Sequence, residues 1–160
     1  MKAGEKVKIG VISDTHGVLR PAAVAALQGS DLIIHAGDVG APAVLEELRG
    51  IAPVVAVRGN CDRGQWADAL PDREIVLVES ACLCVLHDLE MLDLEPVSAG
   101  VCGVISGHSH TPRVREKEGV LYLNPGSAGP RRFRLPAAVA LLHVEGTRLS
   151  ADILILEEGK

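Results

Sequence analysis

Through the first sixty residues apolar runs alternate with amphipathic stretches, and that alternation limits what the chain can fold into. Val7 to Ser13 predicts a buried strand, and Pro21 to Gln28 a short helix with proline at its first turn and Gly29 as its stop. Leu32 to Ala36 is a second strand, Pro42 to Arg49 a second helix ended by Gly50, and Val54 to Val57 a third strand. Strands alternating with helices in this order are parallel neighbours joined by right-handed crossovers. The second half changes character. Glu74 to Val78 and Ala81 to Leu86 read as adjacent strands, and Gly103 to Ser106 as a short one. Val114 to Lys117 with Val120 to Leu123, and Ala137 to Val144 with Thr147 to Leu156, flank Glu-Gly turns and read as hairpins. In the last of these strands Leu149, Ala151, Ile153 and Ile155 alternate onto one face. The pieces suit two mixed sheets packed face to face with helices outside.

A chain of 160 residues corresponds to one domain, expected over 1–160, and no repeat, low-complexity stretch or linker divides it. Its core must be aliphatic, because Trp66, Tyr122 and Phe133 are the only aromatic residues. That scarcity disfavours extended nucleic acid as a partner, since single-strand platforms stack bases on aromatic rings. Sixteen basic against twenty-one acidic residues give a formal charge of −5, so an anionic substrate needs a local source of positive potential. No apolar run approaches the ~18 residues of a membrane span. Met1 to Lys8 is too charged for a signal peptide, and the expectation is a cytoplasmic protein without a membrane partner. Cys82, Cys84 and Cys102 read as buried thiols in or beside strands, with no Cys-x-x-Cys spacing.

The residues suited to chemistry sit just past the ends of the strands. Asp14 and His16 come after the first, Gly37-Asp38 after the second and Gly59-Asn60 after the third, while His87 and Gly107-His108-Ser109-His110 come after two strands of the second half. Strand carboxyl ends are where open α/β sheets gather functional groups. Asp14, His16, Asp38, Asn60, His87, His108 and His110 are too many donors for one metal ion and suit two. Two divalent ions ~3.5–4 Å apart can hold a hydroxide and clamp both attacking and leaving oxygens of an in-line displacement. Imidazole and carboxylate donors favour manganese, iron or zinc over metals that prefer thiolate. The glycines at 37, 59 and 107 are expected to permit tight turns.

Asp14-x-His16, Gly37-Asp38, Gly59-Asn60-x-Asp62, His87 and Gly107-His108-x-His110, in that order, resemble the calcineurin-like metallophosphoesterase superfamily. The whole chain, including Asn124-Pro125-Gly126-Ser127, is similar to its small single-domain prokaryotic phosphodiesterase branch. The resemblance implies a four-layer αββα sandwich and a phosphodiesterase with two divalent ions, manganese by default and zinc, iron or nickel as alternatives. It implies that Asp14, His16 and His110 hold the first ion, that Asn60, His87 and His108 hold the second, and that Asp38 bridges them. A hydroxide between the ions would attack phosphorus, with Asn60 also donating to a phosphoryl oxygen; Asn60, Cys61, Asp62 and His108 are the expected catalytic set.

The chain departs from the family pattern twice. Cys61 stands where many relatives have a histidine that assists the leaving group, and a thiol is a weak hydrogen-bond donor rather than a cationic acid. That favours substrates with good leaving groups, or diesters protonated by another residue. Asp88 stands where relatives usually have glycine; it reads as a solvent-facing loop carboxylate, with a partner for a ligand imidazole or a group crowding the second metal as the alternatives. His35 is expected to pack beneath the site and His143 to be structural. Arg131, Arg132 and Arg134 around Phe133 read as a solvated loop or subunit contact, with a phosphate-reaching arginine as the alternative. The competing classes are a phosphomonoesterase and a non-enzymatic scaffold like the retromer subunit of the same fold, for which lost ligands would be the mark. Substrate identity beyond a small phosphodiester stays open, and a homodimer is expected only because symmetric pairs are common.

Overall fold

The computed structural model describes residues 6–130 and 135–156, so the cluster at Arg131, Arg132, Phe133 and Arg134 lies outside the described residues. One sheet holds β1 (Val7–Ile12), β2 (Leu32–His35), β3 (Val54–Ala56), β9 (Ala138–Glu145) and β10 (Arg148–Ile155) in the order β10-β9-β1-β2-β3. The other holds β4 (Arg73–Val78), β5 (Ala81–Leu86), β6 (Gly103–Ile105), β7 (Arg113–Lys117) and β8 (Val120–Asn124) in the order β4-β5-β6-β8-β7. Both are mixed. β1, β2 and β3 run parallel, as do β5, β6 and β8, while β9, β10, β4 and β7 are antiparallel to their neighbours.

The central strands β1, β2, β5 and β6 are aliphatic because they are buried on both faces, whereas the edge strand β7 is charged and exposed. Between the sheets Ile9, Val11 and Ile34 meet Leu83, Val85 and Ile105 in the central core. Each fully buried side chain of this kind contributes roughly 1.5–3 kcal/mol. Outside the first sheet lie α1 (Pro21–Leu27), α2 (Pro42–Arg49) and α3 (Gln65–Asp68), with Leu27, Leu45 and Leu48 packed with Ile12, Ile33 and Val139. Outside the second, a 3-10 turn (Leu89–Met91) and α4 (Pro96–Ala99) form a thinner layer, where Leu89, Leu92 and Leu94 pack with Cys84, Leu86 and Val104. This is the expected αββα sandwich. The short helices α3 and α4 and the 3-10 turn carry too few residues for a helical period and escape a sequence reading.

Register decides where the loops emerge. Ile12 pairs with His35 and His35 with Ala56, so the first three parallel strands end level with one another. Val85 pairs with Ile105, and the Gly107 N–H donates to the His87 carbonyl at 2.9 Å, which sets the two loops of the second sheet side by side. Across the sandwich the His108 N–H donates to Asp14 at 3.1 Å, joining both sheets' loops at one edge. All four cysteines are free thiols, Cys84 buried within β5 and Cys61 exposed. No helix among the described residues is long and apolar enough to cross a membrane.

Candidate metal centre

The edge where the strands end collects the expected donors, and the backbone there is unusual. Asp14, His16, Asp38, His108 and His110 all have positive φ, from 47° to 70°. Among the described residues Glu79 and Glu118 are the other non-glycine positions of this kind, both in turns. Left-handed backbone at residues with a side chain costs roughly 1–3 kcal/mol and persists where the surroundings enforce it, often at functional sites. Here it turns five side chains into a common space.

Two constellations result. Asp14, His16 and His110 offer ligand atoms that all lie within 4.8 Å of one another, and so do Asp14, Asp38 and His87. The His110 Nε2 is 3.2 Å from Asp14 Oδ1, and the His16 Nε2 is 3.8 Å from both Asp14 Oδ1 and Asp38 Oδ2. On the other side His87 Nε2 lies 3.2 Å from Asp38 Oδ2, and His108 Nδ1 lies 3.3 Å from His87 Nε2 and 3.2 Å from Asn60 Oδ1. Asp38 therefore stands between the two groups.

Hydrogen bonds aim these side chains. Asp14 Oδ2 accepts from Ser13 Oγ at 2.6 Å and from the His108 N–H, while the Ser127 hydroxyl donates to the Asp14 carbonyl at 3.0 Å. Its other carboxylate oxygen, Oδ1, is buried without a hydrogen-bond partner among the described residues, as is His16 Nε2. Buried polar atoms left unsatisfied at a converging point are what a cation site leaves behind when only protein atoms are counted. Asp38 Oδ1 accepts from the Cys61 N–H at 2.8 Å, which leaves Oδ2 facing the imidazoles. His87 Nδ1 donates to the Ala36 carbonyl at 2.8 Å, so the neutral ring presents its Nε2 lone pair to the cluster. The donor set, of carboxylates, imidazoles and an amide oxygen, fits borderline divalent ions.

Electrostatics agree with a polar, coupled cluster. Burial pushes the His87 imidazole down, but the hydrogen bond to Asp38, the charges of Asp14 and Asp38 and the Ala36 carbonyl outweigh it and raise its pKa above 6.5. Burial works against the Asp38 charge, yet the His87 hydrogen bond, the Cys61 N–H and the charges on His87 and His16 hold this carboxyl below the ordinary range. Beneath them His35 is fully buried, and burial with repulsion from His87 lowers it to about 3. It packs under the site, as expected, while His143 lies away from it, 3.5 Å from Asp152.

Three residues take places that spacing did not specify. Asp62 is buried and accepts from the Val39, Gly40 and Gly59 amides at 3.2, 2.9 and 2.9 Å, so both its oxygens are engaged in tying the third loop to the second. Cys61 is exposed at the rim, with its sulfur within 4.8 Å of donor atoms on His16 and Asp38. Asn124 donates to the Gly107 carbonyl at 2.9 Å and to Ser109 Oγ at 3.0 Å, which braces the loop carrying His108 and His110. The glycines also serve differently from expectation. Gly37 has φ 103°, but Gly59 and Gly107 are needed for space: a Cβ would collide with Asp38 at the first and with Ser13 and Asp14 at the second. Atoms of neighbouring loops, the Asp38 side chain and backbone at Gly59 and the Ser13 and Asp14 side chains at Gly107, impose those two.

The centre opens on two sides. A cavity of about 500 Å³ is bounded by His108, Ser109, Arg113 and Tyr122, and another of about 830 Å³ by Asn60, His87, Arg58 and Arg63; Asp88 lines both.

Residues 7–147 match the family model described as calcineurin-like phosphoesterase superfamily domain. A probable metallophosphoesterase of Methanothermobacter thermautotrophicus is 36% identical over 158 residues, covering 91% of both chains. One of Methanocaldococcus jannaschii is 38% identical, covering 97% of this chain and 84% of its own. The phosphodiesterase YfcE of Escherichia coli is 26% identical, covering 85% and 87%. Among solved structures, vacuolar protein sorting 29 of Cryptosporidium parvum superposes with a TM-score of 0.81 at 20% identity, covering 97% of this chain and 94% of its own. The Entamoeba histolytica Vps29 complexed with zinc gives 0.80 at 22%, covering 96% and 95%.

Proposed function

Because the chain belongs to the calcineurin-like phosphoesterase superfamily, we propose that it is a phosphodiesterase dependent on two divalent ions. Asp14, His16, Asp38 and His110 would hold one ion, and Asp38, Asn60, His87 and His108 the other. The observation that carries this reading is the convergence of these side chains on left-handed backbone around Asp14 Oδ1, a buried carboxylate oxygen without a hydrogen-bond partner among the described residues. Such ions, when bound, supply an activated water nucleophile and positive charge to meet the phosphoryl oxygens.

The remaining steps belong to the chain. Asn60 turns its carbonyl toward His108, so its exposed amide can donate to a phosphoryl oxygen. That amide also reaches the Cys61 sulfur at 3.5 Å, a weak acceptor that a phosphoryl oxygen displaces. Cys61 at the rim offers no cationic acid to a departing alkoxide, so substrates with good leaving groups are favoured. A phosphodiester has two arms, and the two cavities flanking Asp88 give each a place. Manganese is the first ion to try, because carboxylate, imidazole and amide oxygen suit it, with zinc, iron and nickel beside it.

The scaffold alternative shares the fold, and similarity to Vps29 by structure alone does not separate them. None of the seven candidate donors is replaced in the sequence, which supports the enzyme. Metal analysis of the purified protein, with hydrolysis of bis(p-nitrophenyl) phosphate and p-nitrophenyl phosphate with and without Mn²⁺, tests the proposal. Two equivalents of metal and metal-dependent release from the diester are expected. A protein that binds metal and hydrolyses neither compound is a scaffold.

A further inference from the structure

The cavity beside His108 has a character of its own. Its floor is the outer face of the β7-β8 hairpin, where Arg113 pairs with Asn124 and Arg115 with Tyr122. Directly paired residues share a face, so both arginines stand on the side that Asn124 and Tyr122 present. Asn124 grips Gly107 and Ser109, which places the Arg113 pair at the metal end. Arg115 comes two residues later, roughly 7 Å farther along the strand. Its guanidinium lies over the Tyr122 ring, 5.6 Å from the centroid, which orients it.

Neither guanidinium has a carboxylate partner among the described residues, although acidic residues outnumber basic ones in this chain. Two carboxylates, Asp88 and Glu90, line the same cavity. Asp88 is engaged elsewhere: one oxygen accepts the Glu90 N–H and the other faces His108. Cations on an edge strand discourage sheet-to-sheet pairing, but any edge position serves that purpose. These two instead line a cavity of about 500 Å³ that reaches a metal-ligand candidate, a size ordinary for small-molecule sites.

We propose that this cavity is a subsite for one ester arm of the substrate, and that this arm carries a second phosphate held by Arg113 and Arg115. The substrate class is then a phosphodiester with a phosphomonoester on one arm, as in a phosphorylated nucleoside diester. Planar guanidinium groups bind phosphate through paired N–H donors, which a neutral arm would leave unused. The inference rests on the phosphodiesterase reading of the metal centre, and the test separates the two.

Thymidine 5′-(p-nitrophenyl phosphate) and its 3′-phosphorylated form differ only in the second phosphate. With Mn²⁺-loaded wild-type protein the 3′-phosphate should lower KM about tenfold, and in Arg113→Ala/Arg115→Ala the KM ratio should collapse to about one. Calorimetric titration with thymidine 3′,5′-bisphosphate and thymidine 5′-phosphate reads the same preference without turnover. Arginine-dependent preference for the bisphosphate in a protein that hydrolyses neither ester keeps the subsite and overturns the phosphodiesterase reading. Equal KM values in the wild type, or a preference that survives in the double variant, overturns the subsite.

Discussion

Asp88 places Oδ2 3.8 Å from His108 Nε2 while Oδ1 accepts the Glu90 N–H at 3.0 Å. The second contact caps the 3-10 turn and fixes the carboxylate's rotation, so the first is a standing one. A negative charge at Nε2 favours the tautomer protonated there, the form whose Nδ1 lone pair can join Asn60 Oδ1 and His87 Nε2 in holding an ion; without an ion, Nδ1–H would donate to Asn60 Oδ1 instead. Asp88→Asn keeps an oxygen for the cap and removes the charge. Its affinity for the more weakly held Mn²⁺ should fall about tenfold, by calorimetry, with little change in melting temperature. An affinity equal to wild type leaves Asp88 a cap and nothing more.

Asp62 joins two loops through three backbone amides. In Asp62→Ala these donors lose a buried acceptor, and each orphaned group costs about 1–3 kcal/mol. A loss of roughly 3 kcal/mol in urea unfolding is expected, with Asp62→Asn intermediate because it retains one carbonyl oxygen. The Asn60 loop should loosen with it and metal affinity should drop. Stability within about 0.5 kcal/mol of wild type contradicts the tie.

Much of this was legible in the chain itself, for reasons that particular residues make clear. The parallel core strands are long apolar runs that both sheets bury, so Val7–Ile12 and Ala81–Leu86 read correctly from periodicity and length. The donors were visible because they sit at strand ends, where topology must gather them. What spacing could not show is contact between distant loops. Asp62 is expected in the catalytic set from its place in the Gly59-Asn60-x-Asp62 block, and only the fold shows the Val39 and Gly40 amides brought to it. Asn124 and Ser127 likewise act on loops 15 and 113 residues away. The positive φ of His16 and His108 also carries no local signal: their N–H groups donate across loops, to the Asp38 carbonyl and to Asp14 Oδ2.

Cys61 lies at the rim of the centre, its N–H held by Asp38 and its thiol exposed. An imidazole at this position could be cationic near neutral pH and donate to a departing oxygen, which a thiol, a weak hydrogen-bond donor, does poorly. Cys61→His should raise p-nitrophenyl phosphate hydrolysis relative to bis(p-nitrophenyl) phosphate by about tenfold, below the usual effect of a general acid because p-nitrophenolate departs with little need of a proton. Monoesters gain more because their leaving oxygen departs from a more highly charged phosphoryl group. An unchanged ratio of the two rates would count against any part for position 61 in leaving-group assistance.

His35 supplies the pH test of the floor beneath the site. Thr15 Oγ1 donates to the Val39 carbonyl at 2.8 Å and therefore accepts from His35 Nε2, 2.9 Å away, while His35 Nδ1 accepts the Gly37 N–H at 3.1 Å. Both ring nitrogens are thus committed to the neutral Nε2–H form, and a second proton would face the Gly37 donor. Burial, with repulsion from His87, lowers the pKa to about 3 from an ordinary 6.5. Between those values the unfolded chain binds a proton that the native state does not, so stability is full above pH 6.5 and is lost as pH falls. His87, shifted upward, contributes its slope above 6.5, and Asp38, held low, loses its contribution only below about pH 4, which leaves the interval from pH 6 to 5 to His35. In metal-free protein, urea unfolding should weaken by about 1.4 kcal/mol per pH unit between pH 6 and 5. Long-range ¹H–¹⁵N correlations should show an Nε2–H imidazole that does not titrate above pH 4. A His35 resonance that titrates near 6.5, or a flat stability profile across that interval, would show that the ring is not locked.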